Sequence, residues 1–210
     1  HGGALYVTVV VKATFALVPG GVATRIEPLP LERDERSAGA LPVLGIEAAS
    51  DLAPYIPGAG VTFRGHAFAP GGRPATAHSV RLAAYRDGAA LFEKTLHVFG
   101  AAGKDGARQA FTRMPVTYER AFGGPGTSNP AGSAAPDIVC PDDPARPGGF
   151  GPISRHWPER KRLLGASERE KLALAIAELP DAMPWEYYHA APVDQRIAGF
   201  AGLVLGRLVG

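Results

Sequence analysis

The chain has 210 residues, 46% of them hydrophobic and 20% charged, which is the composition of an ordinary globular domain with enough apolar mass for one sizeable core. Lys and Arg total 22 against 20 Asp and Glu, a formal net charge of +2, too small an excess to point to nucleic acid or an anionic membrane as the main partner. The single cysteine, Cys140, excludes a disulfide framework and a multi-cysteine zinc site within one chain, and no run of about 18 apolar residues is available to span a bilayer.

In chain order, Leu5–Leu17 is dense in β-branched and aromatic residues and stops at Pro19-Gly20-Gly21. It predicts a long strand with Val22–Ile26 as its hairpin partner. The strand lacks a basic leader and a small-residue cleavage site, so it does not read as a signal peptide. Leu31–Gly45 reads as a surface loop. Val61–Phe68 alternates apolar and polar residues and predicts a half-buried strand; Pro70–Pro74 is a turn. Val80–Tyr85 and Leu91–Phe99 predict two strands joined at Asp87-Gly88, a favoured tight-hairpin pair. Phe111–Tyr118 is a further strand candidate. Gly123–Gly151, crowded with Gly, Pro, Asn and Asp, is a long loop of the kind that is functional or mobile.

One helix is expected at Ser167–Leu179, where Ser167 and Glu170 form a capping box and Pro180 ends the run. Trp185–His189 is a short helical turn and Leu203–Val209 a terminal strand. Glycine (27) and proline (20) are plentiful, which fits many turns. The chain begins at His1, and the expectation is one domain over 1–210, cut short at both ends. The fold class expected is mainly β: an antiparallel β-sandwich or barrel-like domain with long loops and one or two short helices.

The motifs of common chemistry fail on their spacing. Gly100-Ala-Ala-Gly-Lys104 lacks the first glycine and the hydroxyl residue of a phosphate loop. Ser133 lacks the flanking glycines of a nucleophile elbow. Cys140 is followed by Pro141 and two aspartates, an unfavourable setting for a thiolate, and reads as an inert thiol. The six histidines show no metal-ligand spacing, and neither a metal nor a cofactor is expected. Two clusters remain. Tyr118-Glu119-Arg120 follows a strand and runs into Phe122-Gly-Gly124. Phe150, Arg155, His156 and Trp157 lie in a glycine-rich and basic stretch. With Asp194, Gln195 and Arg196 they form the set of candidate partner-binding or motif-structural residues. An enzyme reading takes Glu119 or Asp194 as general acid or base with His156 as partner. A structural reading places Glu119 and Asp194 in ion pairs with Arg120, Arg155 or Arg196. Phe150, Trp157, Trp185, Tyr187 and Tyr188 suit either a core or an interface.

Six segments occur in a fixed order: Ser50-Asp-Leu-Ala-Pro-Tyr-Ile-Pro-Gly58, Gly65-His-Ala-Phe-Ala-Pro-Gly-Gly-Arg-Pro-Ala75, Phe111-Thr-Arg-Met-Pro-Val-Thr-Tyr-Glu-Arg-Ala-Phe-Gly-Gly124, Asn129-Pro-Ala-Gly132, Gly149-Phe-Gly-Pro-Ile-Ser-Arg-His-Trp157 and Ala190-Ala-Pro-Val-Asp-Gln-Arg196. Together with the opening strand Val9–Phe15 they resemble the family of domain of unknown function 2169 over nearly the whole chain. The resemblance implies a non-catalytic, cytoplasmic adaptor or chaperone of type VI secretion. Such a protein holds an effector toxin and helps load it onto a VgrG or PAAR spike protein, without nucleic acid or membrane insertion. The alternatives are a carboxylate-based hydrolase or carbohydrate-active enzyme, and a structural module of the secretion apparatus.

Overall fold

A computed structural model describes residues 9–16, 21–37, 46–53, 56, 58–124, 126–143, 146–163 and 185–198. The expected helix at Ser167–Leu179 and the terminal strand at Leu203–Val209 lie outside the described residues.

The protein is mainly β, and among the described residues every strand ladder is antiparallel. The first hairpin pairs β1 (Thr14–Ala16) with β2 (Thr24–Ile26), as the sequence predicts, although the ladder is far shorter than the apolar run. Lys12, the charge that interrupts that run, donates from Nζ to Asp51 Oδ2 at 2.7 Å and to Pro30 O at 2.8 Å. The expected loop after it contains β3 (Arg36–Ser37), which pairs with β4 (Ile46–Ala48).

The expected strand Val61–Phe68 is a strand only at its end. A short β5 (Ala59–Gly60) precedes it, and β6 (His66–Phe68) closes it. Between them the backbone bonds to distant loops: Val61 N–H donates to Gln195 O at 3.0 Å and Phe63 N–H to Phe150 O at 2.8 Å. The turn at Pro70–Gly72 is present, with Gly71 and Gly72 at positive φ.

The longest regular element is the hairpin of β7 (Ala77–Arg86) and β8 (Ala89–Phe99). Asp87 and Gly88, both at positive φ (50° and 83°), make its turn, the geometry that matches the right-handed twist of the flanking strands. Val80 lies opposite Leu96, and Leu82 opposite Lys94, on the core face. Arg81 and Ala83 lie opposite Thr95 and Glu93 on the outer face.

The strand expected over Phe111–Tyr118 is confined to β9 (Arg113–Pro115), which pairs with β6. Pro115 has no N–H for the ladder, and the chain then winds into a 3-10 turn at Tyr118–Arg120. The long loop 123–151 is not wholly irregular: β10 (Ile138–Val139) pairs with β8 and extends the sheet to the order β10-β8-β7. One short helix, α1 (Pro158–Arg162), starts with proline at its first turn, where a missing N–H costs nothing. Trp185–Tyr188 is the short helical turn expected there. Val193–Gln195 forms a further 3-10 turn, and β11 (Arg196–Ile197) returns to pair with β5.

Ala67 of β6, Met114 of β9, Leu96 and Val98 of β8, and Ile138 of β10 share one core with Phe111, Val116, Ala121, Cys140 and Phe150. The β6–β9 ribbon and the three-stranded sheet are therefore buried against the same apolar cluster. No sheet closes into a barrel among the described residues.

Candidate functional site

Along β8 the core-facing positions are Phe92, Lys94, Leu96 and Val98, all buried. A lysine in that row must find partners for three donors. Its Nζ donates to Gly149 O at 2.8 Å, Gln195 Oε1 at 3.1 Å and Asp194 Oδ1 at 3.2 Å. The Phe150 ring lies 6.0 Å from the ammonium. Burial pushes the Lys94 amine below its ordinary value, and Asp194 opposes that shift.

Gln195, with no solvent exposure, is the second half of this knot. Its Nε2 donates to Val61 O at 2.7 Å and Phe150 O at 3.0 Å while its Oε1 accepts from Lys94. One side chain thus ties together the segment after β5, the Gly149-Phe150 loop, the Val193–Gln195 turn and β8.

Tyr118 and Trp157, both buried, pack with ring centroids 6.0 Å apart at 57°. The Tyr118 hydroxyl donates to Gly151 O at 2.8 Å, and burial raises its pKa well above the usual phenol range. Gly149 lies against the same ring: a Cβ there would fall 2.6 Å from a Tyr118 ring carbon, so only glycine fits without movement. Asn129 is buried behind the turn and donates from Nδ2 to Tyr118 O at 3.0 Å. Its neighbour Arg120 pairs with Asp137 Oδ2 at 2.9 Å, and Arg108 takes Asp137 Oδ1 at the same distance.

A third knot centres on Glu35. Its Oε1 accepts from Arg155 N at 2.6 Å and its Oε2 from Ser154 Oγ at 2.9 Å, and Arg160 pairs with it at 3.6 Å. Arg160 also donates to Ile153 O and to Tyr187 O. Burial lowers the Arg160 guanidinium to about 10 against the pull of Glu35. Among the described residues the Arg155 guanidinium pairs with exposed Asp34, at 3.4 Å.

Beside these knots opens a cleft of about 770 Å³. Its apolar walls include Ile153, Trp157, Leu163, Pro192 and Val193, and Asp194, Arg146 and Arg196 stand at its charged side. Asp194 is held by Lys94 and by Arg146 at 3.4 Å. Arg196 donates from Nε to Ala191 O at 3.0 Å and from Nη2 to His189 O at 3.4 Å. Burial, with Arg196 and Arg160 nearby, holds the His189 imidazole below its ordinary value.

Of the residues singled out in the sequence, Trp157, Asp194 and Arg196 line the cleft, and Tyr118, Phe150 and Gln195 are buried in the packing behind it. Arg120 and Arg155 lie in separate ion pairs. Glu119 and His156 are exposed and do not line the cleft, so the triad of Glu119, His156 and Asp194 is not assembled there. Lys94, Glu35 and Arg160 escaped the sequence reading, and Asn129 stood there only within a family-like segment. Lys94 alone had a signal, as a charge in the apolar phase of an alternating strand. Among the described residues no group of three or more His, Cys, Asp or Glu is placed to hold a metal ion, and no helix is long and apolar enough to cross a membrane.

The family model described as "Uncharacterized protein conserved in bacteria (DUF2169)" matches residues 2–204. The chain belongs to this family. No curated protein and no solved structure matches it in the corresponding comparisons.

Proposed function

We propose that this family member is a non-catalytic adaptor that binds a type VI secretion effector in the cytoplasm and helps load it onto the VgrG/PAAR spike. The observation that supports this reading best is the state of the charged groups around the cleft. Asp194 is engaged by two cations, Lys94 and Arg146. A general acid or base needs a proton-transfer position open to substrate, and this carboxylate is occupied on both oxygens. The cleft also offers apolar surface, including Val193, 77% exposed at its edge, beside the Glu159 carboxylate, whose Oε2 is buried without a hydrogen-bond partner. Apolar concavities rimmed by Arg and Trp suit protein anchors. Tyr118, Phe150 and Gln195 would serve as the rigid support that keeps this surface preorganised.

The test is co-expression of the protein with type VI secretion toxins and with VgrG and PAAR spike proteins, followed by affinity capture. A soluble complex containing a toxin is the expected result, and Val193→Asp is expected to weaken capture about tenfold, about 1.4 kcal/mol, while leaving the fold intact. Recovery of no toxin and no spike protein under conditions where all are soluble would overturn the reading.

A further inference from the structure

The two edges of the sheet β10-β8-β7 are treated differently. On one side β10 pairs with β8, and the loop before it adds a bond from Phe99 N–H to Asp137 O at 2.7 Å. On the other side β7 runs for 10 residues, and among the described residues none of its backbone hydrogen bonds reaches beyond β8. Alternate N–H and C=O groups of such an edge point away from the sheet and form a template for another strand.

Edge strands are usually guarded by proline, lysine or inward-pointing charge. β7 has no proline and no lysine, although its pairing with β8 is bulged at Ala84/Tyr85 and it carries Arg81 and Arg86; up to the bulge its core face carries His78, Val80, Leu82 and Ala84. Val80 and Leu82 pack on the core but stay half-buried, whereas their partners on β8, Leu96 and Lys94, are buried. A strand laid beside β7 would complete their cover. A hollow of about 380 Å³ lined by Ala77, His78, Ser79, His97, Val98 and Phe99 lies at one end of the strand, where a side chain of the added segment could seat.

The charge pattern selects the occupant. β7 carries Arg81 and Arg86 and no acid. Arg81, 61% exposed, pairs at 3.3 Å with Glu93 on β8. Strands lie about 5 Å apart. An added strand would therefore meet Arg81 at about 5 Å and Glu93 only at about 10 Å, near the screening length in physiological salt. A second copy of β7 would bring arginines and no carboxylate to this edge.

We propose that the edge of β7, unpaired among the described residues, is a protein-binding surface, separate from the cleft, that takes an extended, acidic, alternately apolar segment of a partner as a fourth strand. The inference rests on the sheet and not on the effector-adaptor reading. It stands or falls whether or not the cleft holds a toxin.

The probe is a soluble peptide of alternating valine and glutamate, titrated into the full-length chain, with amide hydrogen exchange as the readout. Amides of residues 77–86 are expected to exchange at least tenfold more slowly when the peptide is saturating, with those of residues 153–160 unchanged. The same peptide with lysine in place of glutamate is expected to bind at least tenfold more weakly, and Arg81→Glu should reverse that preference. The peptide comparison on the unaltered chain needs no variant to fold. Absence of protection over residues 77–86, equal binding of both peptides, or concentration-dependent protection of the same amides without peptide would overturn the proposal, the last by assigning the edge to a second copy.

Discussion

Strand β7 and the loops around Lys94 invert the usual association of regular structure with burial. β7 is paired with β8 along its whole length, with one bulge at Ala84/Tyr85, and has not one buried residue. The loop-borne residues Gln195, Asn129, Ser154, Phe150 and Trp157 are among the most buried in the molecule. A hairpin satisfies its backbone locally and needs little else. Irregular backbone brought into a core must have its N–H and C=O groups satisfied by side chains. Here Gln195, Tyr118, Lys94 and Arg160 supply those bonds. In this chain, glycine- and proline-rich segments that look mobile in sequence supply much of the buried, hydrogen-bonded packing.

That contrast predicts an order of mutational sensitivity. Trp157→Ala removes a buried ring that packs on Tyr118 and is expected to cost about 3–5 kcal/mol, measured by chemical denaturation. A loss under 1 kcal/mol would mean that the loops do not carry this packing. Gln195→Leu keeps the volume but leaves Val61 O without the Gln195 donor, Phe150 O with Phe63 N–H alone, and Lys94 without one acceptor. Unmet buried polar groups cost about 1–3 kcal/mol each, and a total of about 3 kcal/mol is expected, with exchange protection lost across residues 149–151.

The third prediction concerns pH. His189 in the folded chain has its imidazole held below its ordinary value of 6.5 by burial and by Arg196 and Arg160. The unfolded chain therefore takes up this proton first as pH falls, and the folded state loses stability from about pH 6.5 downward. The loss levels off once the folded His189 itself protonates. His189→Gln should flatten this limb of a stability-versus-pH curve; an unchanged limb assigns it to other groups. The smallest effect belongs to the hairpin. Arg81→Glu breaks one exposed pair with Glu93 and is expected to change stability by about 0.5 kcal/mol or less. A cost comparable to that of Gln195→Leu would erase the distinction between the two regions.

The β-rich class, the Asp87-Gly88 hairpin, the Pro70–Gly72 turn and the pairing of β1 with β2 were legible in the sequence. Each depends on φ/ψ preferences and side-chain alternation over a few neighbouring residues. The lengths of β6 and β9 were not, because neighbouring loops compete for the same backbone groups: Phe63 bonds to Phe150 rather than to a strand. The motif residues were visible as a set, but their roles were not. Trp157 is packing, Arg120 is a partner of Asp137, and His156 is exposed.

What only the tertiary structure decided is which distant groups meet. Lys94 and Gln195 are 101 residues apart, and Glu35 reaches Ser154 across 119. No local preference encodes such pairings, since a side chain at one end of the chain has no propensity for a carbonyl at the other. They follow from burial: once the apolar cluster of β6, β8, β9 and β10 closes, every polar group caught beside it must find a partner within reach.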